Sequence, residues 1–181
     1  MKKLNLIFAS LFAFLIAVSS CVKKDVPAPV IYSSTQPVTV VSNPVDTNYS
    51  LGGTIYNTTI AGETTLNNGT YNYYIMSVSD NAGNAFCEFW FTGGTKPAAG
   101  TYNVVSWLNG YNSGLSAQQV SVKATTGVKT SQYYSRNYAS ATTLTLTANG
   151  ANTDIAVSNL PLENSSNASD VKNLTTALPI P

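Results

Sequence analysis

The chain contains no histidine, a single arginine and few charged residues of either sign. Histidine is the commonest general base and metal ligand, so its absence excludes Ser-His-Asp and Cys-His catalysis and any imidazole-ligated metal site. Charged residues are only 9% of the chain, and Arg136 is its one arginine, which argues against a surface that binds nucleic acid. The composition therefore predicts neither a cofactor nor a metal.

Cysteine is also scarce, and the first of the two cysteines ends a distinctive N-terminal segment. Lys2-Lys3 precedes an apolar run over residues 4–18, which is shorter than the ~20 residues of a membrane-spanning helix. The run ends in Val18-Ser19-Ser20-Cys21, which resembles the lipobox of bacterial lipoproteins. The resemblance implies that signal peptidase II cleaves between Ser20 and Cys21 and that Cys21 carries a diacylglyceryl group. The alternatives are an uncleaved membrane helix and an ordinary signal peptide with a chance cysteine.

The residues after Cys21 bear on which membrane holds the chain. An aspartate directly after the lipidated cysteine tends to retain a bacterial lipoprotein at the inner membrane, and here that residue is Val22, so the resemblance implies the outer membrane. Lys23-Lys24-Asp25 resembles the lysine-plus-acid export signal of surface lipoproteins in Bacteroidota, so periplasmic and cell-surface orientations both stay open. Loss of the signal leaves seven basic and eight acidic residues, a net charge of −1, which would not gather nucleic acid.

The composition divides the chain into three parts. Residues 1–20 are the cleaved signal peptide, and residues 21–50, rich in Pro, Ser, Thr and Val, are predicted to form a flexible tether from the lipidated cysteine. Pro37-Val38-Thr39-Val40-Val41 within the tether has the alternation of an edge strand as its alternative. Residues 51–181 are predicted to form one domain.

The body shows apolar and polar residues in strand-like alternation between frequent turn signals. Strands are expected over residues 70–79, 85–92, 101–107, 119–125, 133–138, 142–148, 153–159 and 171–178. Asn68-Gly69, Asn109-Gly110 and Asn149-Gly150 are typical of tight hairpins, and residues 107–115 are expected to form a surface loop. We therefore predict an all-β fold: an antiparallel two-sheet β-sandwich of about 8–10 short strands, with a small lipocalin-like β-barrel as the alternative.

The body also resembles small uncharacterised all-β lipoproteins of Bacteroidota. The likeness lies in the strand order, the Lys96-Pro97-Ala98-Ala99-Gly100-Thr101-Tyr102 turn and the closing Ile155-Ala156-Val157-Ser158-Asn159 segment. It implies the fold and no activity.

The residues that could carry catalysis have simpler explanations. Four carboxylates in or beside strands are candidates for an acid–base pair, but solvated strand faces and turn caps account for them: Asp80, Glu88, Asp154 and Glu163. Asp80-Asn81 and the segment 152–154 lack the ligand number of a calcium site. With Cys21 acylated, Cys87 has no disulfide partner and is expected to be a buried, inert thiol.

Aromatic residues are the strongest candidates for a ligand-binding surface. Exposed Tyr and Trp can stack on sugar rings or anchor a protein partner, although most aromatic residues of a β-sandwich fill its core. The set comprises Tyr71, Tyr73, Tyr74, Trp90, Tyr102, Trp107, Tyr111, Tyr133, Tyr134 and Tyr138. Trp107 and Tyr111 are the candidate ligand-binding residues, because they border the polar segment expected to be a loop.

The sequence thus favours a non-enzymatic, lipid-anchored outer-membrane protein that acts as a binding or structural accessory module. A glycan- or peptide-capturing module using Trp107 and Tyr111 is the first alternative, and a barrel carrying a small apolar ligand is the second.

Overall fold

The computed structural model describes residues 47–137 and 142–180. They form eleven strands and one helix. The strands are β1 (Thr47–Leu51), β2 (Thr54–Thr58), β3 (Ile60–Asn67), β4 (Asn72–Ser79), β5 (Phe86–Thr92), β6 (Gly100–Val104), β7 (Gln119–Thr125), β8 (Gln132–Tyr134), β9 (Thr143–Asn149), β10 (Asn152–Asn164) and β11 (Val171–Ile180), and the helix is α1 (Trp107–Ser113). Several predictions lie outside the described residues. They concern the cleavage and lipidation sites at Ser20 and Cys21, the tether up to residue 46, the strand proposed over residues 37–41, and Tyr138.

The all-β prediction is confirmed, since strands dominate and the helix is short. β1 begins at Thr47, within the range expected for the tether. Hydrogen bonds join ten of the strands in the order β2-β1-β11-β10-β9-β6-β7-β5-β4-β3, and β8 pairs with both β7 and β10.

The additional pairing of β8 closes a five-strand barrel from β10, β9, β6, β7 and β8. The alternative prediction of a small barrel is met in this ring, although it has five strands instead of the eight of a lipocalin. Strands β11, β1 and β2 extend from one side of the ring, and β5, β4 and β3 extend from the other.

One pair of strands departs from the expected antiparallel arrangement. β6 and β7 run parallel, with Asn103 opposite Gln119 and Val104 opposite Val120. Two parallel neighbours cannot be joined by a tight hairpin and need a crossover of a dozen or more residues, usually containing a helix. Helix α1 is that crossover.

Alternation along the strands separates a packed interior from the outer faces. On β5, Cys87, Phe89 and Phe91 point inward, and on β7, Val120 and Val122 do the same. The Tyr49 hydroxyl donates to the Thr125 carbonyl oxygen at 2.8 Å, which ties β1 to the end of β7 across the core. The interior cluster also includes Met76, Tyr102, Tyr133, Leu144, Leu146, Ile155, Leu162, Leu174 and Leu178.

Two of the three hairpins expected at Asn-Gly pairs are present. Asn68-Gly69 lies between β3 and β4, and Asn149-Gly150 lies between β9 and β10. The third prediction was wrong, because Asn109-Gly110 lies inside α1. The strand expected over residues 101–107 ends at Val104 for the same reason.

Candidate functional site

Trp107 and Tyr111, the two residues singled out by the sequence, lie on helix α1 and not in a loop. The helix begins after Ser106, whose Oγ accepts a hydrogen bond from the Asn109 amide at 3.3 Å. A serine at this position satisfies one of the amides that a helix leaves unpaired at its start. The helix ends at Gly114, whose φ of +78° is readily adopted by glycine. The expectation of a surface loop was therefore wrong.

The helix is held tightly against the outer face of β7 and β8. A Cβ atom added to Gly110 would lie 2.7 Å from Leu115 Cδ2 and 3.4 Å from Ser121 Oγ, so a larger residue here would require the buried Leu115 side chain to shift. The Trp107 amide donates to the Ser135 carbonyl oxygen at 2.9 Å, which fixes the first turn to the end of β8.

Four aromatic rings form a continuous stack beside the helix. Tyr73 stacks on Tyr111 at 6.2 Å between centroids, and Tyr111 stacks on Trp107 at 5.5 Å. Trp107 stacks in turn on Tyr134 at 4.7 Å. Trp90 meets both Trp107 and Tyr111 edge-on, at 5.6 and 6.1 Å. We call Tyr73, Tyr111, Trp107 and Tyr134 the ring stack.

The polar atoms around the ring stack are mostly paired. The Tyr73 hydroxyl lies 2.9 Å from the carbonyl oxygens of both Gly110 and Tyr111, and the Asn68 amide group donates to the Tyr111 carbonyl at 2.8 Å. Burial raises the pKa of Tyr73 to about 12, so this hydroxyl keeps its proton to a higher pH than an exposed tyrosine does. The indole Nε1 of Trp107 is buried without a hydrogen-bond partner.

A charged pair borders the ring stack on the same sheet face. Lys123 Nζ lies 3.7 Å from Glu88 Oε2, 4.9 Å from the Phe86 ring centroid and 5.9 Å from the Trp107 ring centroid. Glu88 Oε2 also accepts a hydrogen bond from Trp90 Nε1 at 2.9 Å. The ammonium group is therefore held between two aromatic rings and a carboxylate.

The structure does not bring the four candidate carboxylates together as a catalytic pair. Glu88 and Glu163 share one row across the sheet, but the paired positions Lys123 and Tyr134 lie between them. Three strand spacings of about 4.8 Å separate their backbones by about 14 Å, against the roughly 5–9.5 Å between carboxylates in glycosidases. Glu163 pairs with Arg136 at 2.5 Å.

The other two candidate carboxylates accept hydrogen bonds within local turns. Asp80 accepts the Asn84 amide at 2.8 Å, and Asp154 accepts a hydrogen bond from the Asn149 side chain at 3.0 Å. Within residues 47–137 and 142–180, no group of three or more His, Cys, Asp or Glu side chains is arranged to hold a metal ion.

The sequence did not predict that Tyr73, Tyr134 and Lys123 lie close to Trp107. Tyr134 and Lys123 are cross-strand partners, and Tyr73 reaches the helix from β4. Strand register would have been needed to place these side chains on one face, and the alternation within each strand does not supply it.

Comparison of the chain with protein-family models, curated proteins and solved structures found no match. Among the residues described, no helix has the length and apolar character needed to cross a membrane.

Proposed function

We propose that this chain is a non-enzymatic lipoprotein, anchored to the outer membrane through Cys21, whose body captures a protein or peptide partner on the outer surface of α1. The observation that supports the capture surface is the combination of exposed Leu108 with half-buried Trp107 and Tyr111 on a helix without charged residues. Leu108 is 58% exposed. Cores of protein interfaces are depleted in charge and enriched in Trp and Tyr, which matches this composition.

The ring stack favours a protein partner over a sugar ring at this surface. Sugar capture by an aromatic residue uses an open ring face, whereas the Trp107 indole already lies against Tyr111 and Tyr134. The stack offers ring edges and leaves Leu108 as an apolar anchor. Because the rings are already ordered, little side-chain entropy is lost when a partner binds.

We further propose that the strands outside the barrel pack as the two facing layers of a sandwich. Contacts of β11 with β3 and β4, and of β2 with β4, support this arrangement.

The membrane anchor is tested by growing the producing bacterium with labelled palmitate. We expect label in the native chain and none in the Cys21→Ala variant, with the native chain in the outer-membrane fraction. A native chain that carries no label and is released into the medium would contradict the anchor.

The capture surface is tested with a photo-crosslinking amino acid placed at position 108 in intact cells. Position 128 is the matched control, because Val128 is 56% exposed and belongs to the turn after β7 and not to α1. We expect a discrete adduct from position 108 that disappears in the Asn112→Arg background, since Asn112 is exposed on the same helix. No adduct, or the same adduct from both positions, would contradict the proposal.

A further inference from the structure

A second surface lies on the outer face of β9, β10, β11, β1 and β2, on a different part of the sheet from α1. It is a shallow groove with a volume of about 760 Å³. Its described lining residues carry hydroxyl, amide or small apolar side chains: Thr47, Asn48, Ser50, Ile55, Thr143, Thr145, Ala156, Val157, Ser158, Thr175, Thr176, Ala177 and Pro179. None of these residues is charged.

The backbone at the middle of the groove is already paired on both sides. Ala156 lies opposite Thr145 on one side and opposite Ala177 on the other, so its strand has neighbours on both edges. An extended peptide cannot add itself to a strand that has no free edge. A ligand at the middle of the groove must therefore bind through the side chains.

A β-bulge shapes one end of the groove. Ser158 and Asn159 both lie between the paired positions Val157 and Leu160, and both are exposed, while Val157 and Leu160 remain buried. Asn159 has a φ of +52°, and its amide donates to Thr175 Oγ1 at 3.1 Å. Ser158 follows the same alternation as Ala156 and lines the groove, whereas Asn159 is the extra residue that lets Leu160 return to the interior.

We propose that this groove binds a neutral oligosaccharide. Thr47 and Thr176 are buried, so the groups that can reach a ligand are the exposed ones. The exposed hydroxyl and amide side chains both donate and accept hydrogen bonds, which is the complement that a polyhydroxylated chain needs: Asn48, Thr143, Thr145, Ser158 and Thr175. The small apolar side chains of Ala156, Ala177 and Ile55 can contact the C–H faces of sugar rings. An anionic polymer would find no cation in the described lining, and a purely apolar ligand would leave the hydroxyl groups unpaired.

The groove and the helix surface are independent sites. The two surfaces share no residue, and the proposal for the groove does not depend on protein capture at α1. A body that binds a glycan on one face and a protein on another would link the two near the membrane.

The test is a titration of the isotopically labelled mature chain, followed by amide chemical shifts. The neutral probes are maltoheptaose, cellohexaose and xylohexaose, and an oligogalacturonate is the anionic comparator. We expect one neutral probe to shift amides around Thr145, Ala156 and Thr175 while the amides of α1 stay unchanged.

Two variants and a matched control test whether the oligosaccharide binds in the groove. Ala156→Lys places a long cation in the middle of the groove and should abolish the shifts, whereas Ala117→Lys makes the same change in the exposed turn before β7 and should not. Thr145→Val keeps the side-chain shape but loses one hydroxyl, so affinity should fall by roughly tenfold, the effect of one lost hydrogen bond. Thermal unfolding of each variant checks that it folds. If Ala156→Lys does not fold, the affinity of Thr145→Val tests the proposal.

Several results would overturn the proposal. These are no shift with any neutral probe at millimolar concentration, stronger binding of the oligogalacturonate, shifts confined to α1, or equal affinity in the native chain and folded Ala156→Lys.

Discussion

The Trp107 indole stacks on the Tyr134 ring with centroids 4.7 Å apart and an angle of 24° between the planes. Trp107 opens helix α1 and Tyr134 lies on β8, so this contact joins the crossover helix to the strand that closes the barrel. The helix and the ring closure are thus parts of one packing unit, and changes at either residue should be felt by the other.

A double-mutant cycle measures this coupling. Trp107→Leu and Tyr134→Leu should each lower the free energy of unfolding by about 1–3 kcal/mol, because each removes a packed aromatic ring. Together they should lose about 1 kcal/mol less than the sum, since the stacking contact can be lost only once. Urea unfolding gives these values. Trp107→Leu combined with Tyr56→Leu is the control and should be additive, because Tyr56 packs against the interior cluster and Trp107 packs in a separate one with Tyr73 and Trp90. Additivity in both cycles would contradict the contact.

The close approach of α1 predicts an unusual response to alanine. Alanine favours helices by about 1 kcal/mol over glycine, yet Gly110→Ala should destabilise the chain by about 1–3 kcal/mol because the new Cβ meets Leu115 at 2.7 Å. Gly62→Ala is the matched control. A Cβ added to Gly62 has no neighbour within 4 Å, so the free energy of unfolding of this variant should change little. Denaturant midpoints compare the two. A Gly110→Ala chain as stable as the native one would show that the Leu115 side chain can move aside at little cost.

The alternation of residues within single strands was enough to predict the fold class and most of the strands. The strand expected over residues 119–125 is β7, where Val120 and Val122 point inward, and the predicted burial of the Cys87 thiol is confirmed. These features depend only on neighbours along one strand, and a period of two residues is visible in the sequence.

The site depended on longer-range pairing, which alternation does not encode. Asn109-Gly110 has the composition of a hairpin turn. However, β6 and β7 are parallel and need a crossover connection, and these two residues lie in the helix of that connection. The same pairing places Trp107 against Tyr134. The aromatic residues were visible in the sequence, whereas their assembly into a stack required the strand register.

Ser135 provides a test of how the barrel closes. Its Oγ donates to the Val105 carbonyl at 2.7 Å and accepts the Val122 amide at 2.9 Å, and the residue is buried. Ser135→Ala would leave both backbone groups unpaired, which should cost about 1–3 kcal/mol. Hydrogen exchange at the Val122 amide should accelerate accordingly. Ser116→Ala, at an exposed position, should have no measurable effect on either quantity. Unchanged exchange at Val122 in Ser135→Ala would refute this role.

The tyrosines make the fold sensitive to alkaline pH. Burial raises the pKa of Tyr73 and of Tyr134 to about 12, from 10.0, with the charge of Glu88 adding to the effect at Tyr134. Burial also raises the pKa of Tyr49 and of Tyr74. Between pH 10 and 12 the unfolded chain therefore loses tyrosine protons that the folded chain retains.

Stability contributed by these hydroxyls is complete below pH 10 and is lost as the pH rises toward 12, because the folded state then binds more protons than the unfolded state. Urea midpoints across this interval should fall. Near neutrality, where histidine would titrate, the midpoint should stay flat because the chain has none. Tyr134→Phe keeps the ring on Trp107 but removes one titrating group, so its midpoint should fall less steeply than that of the native chain. A native midpoint that does not change from pH 10 to pH 12 would mean that these hydroxyls ionise as readily in the folded chain as in the unfolded one.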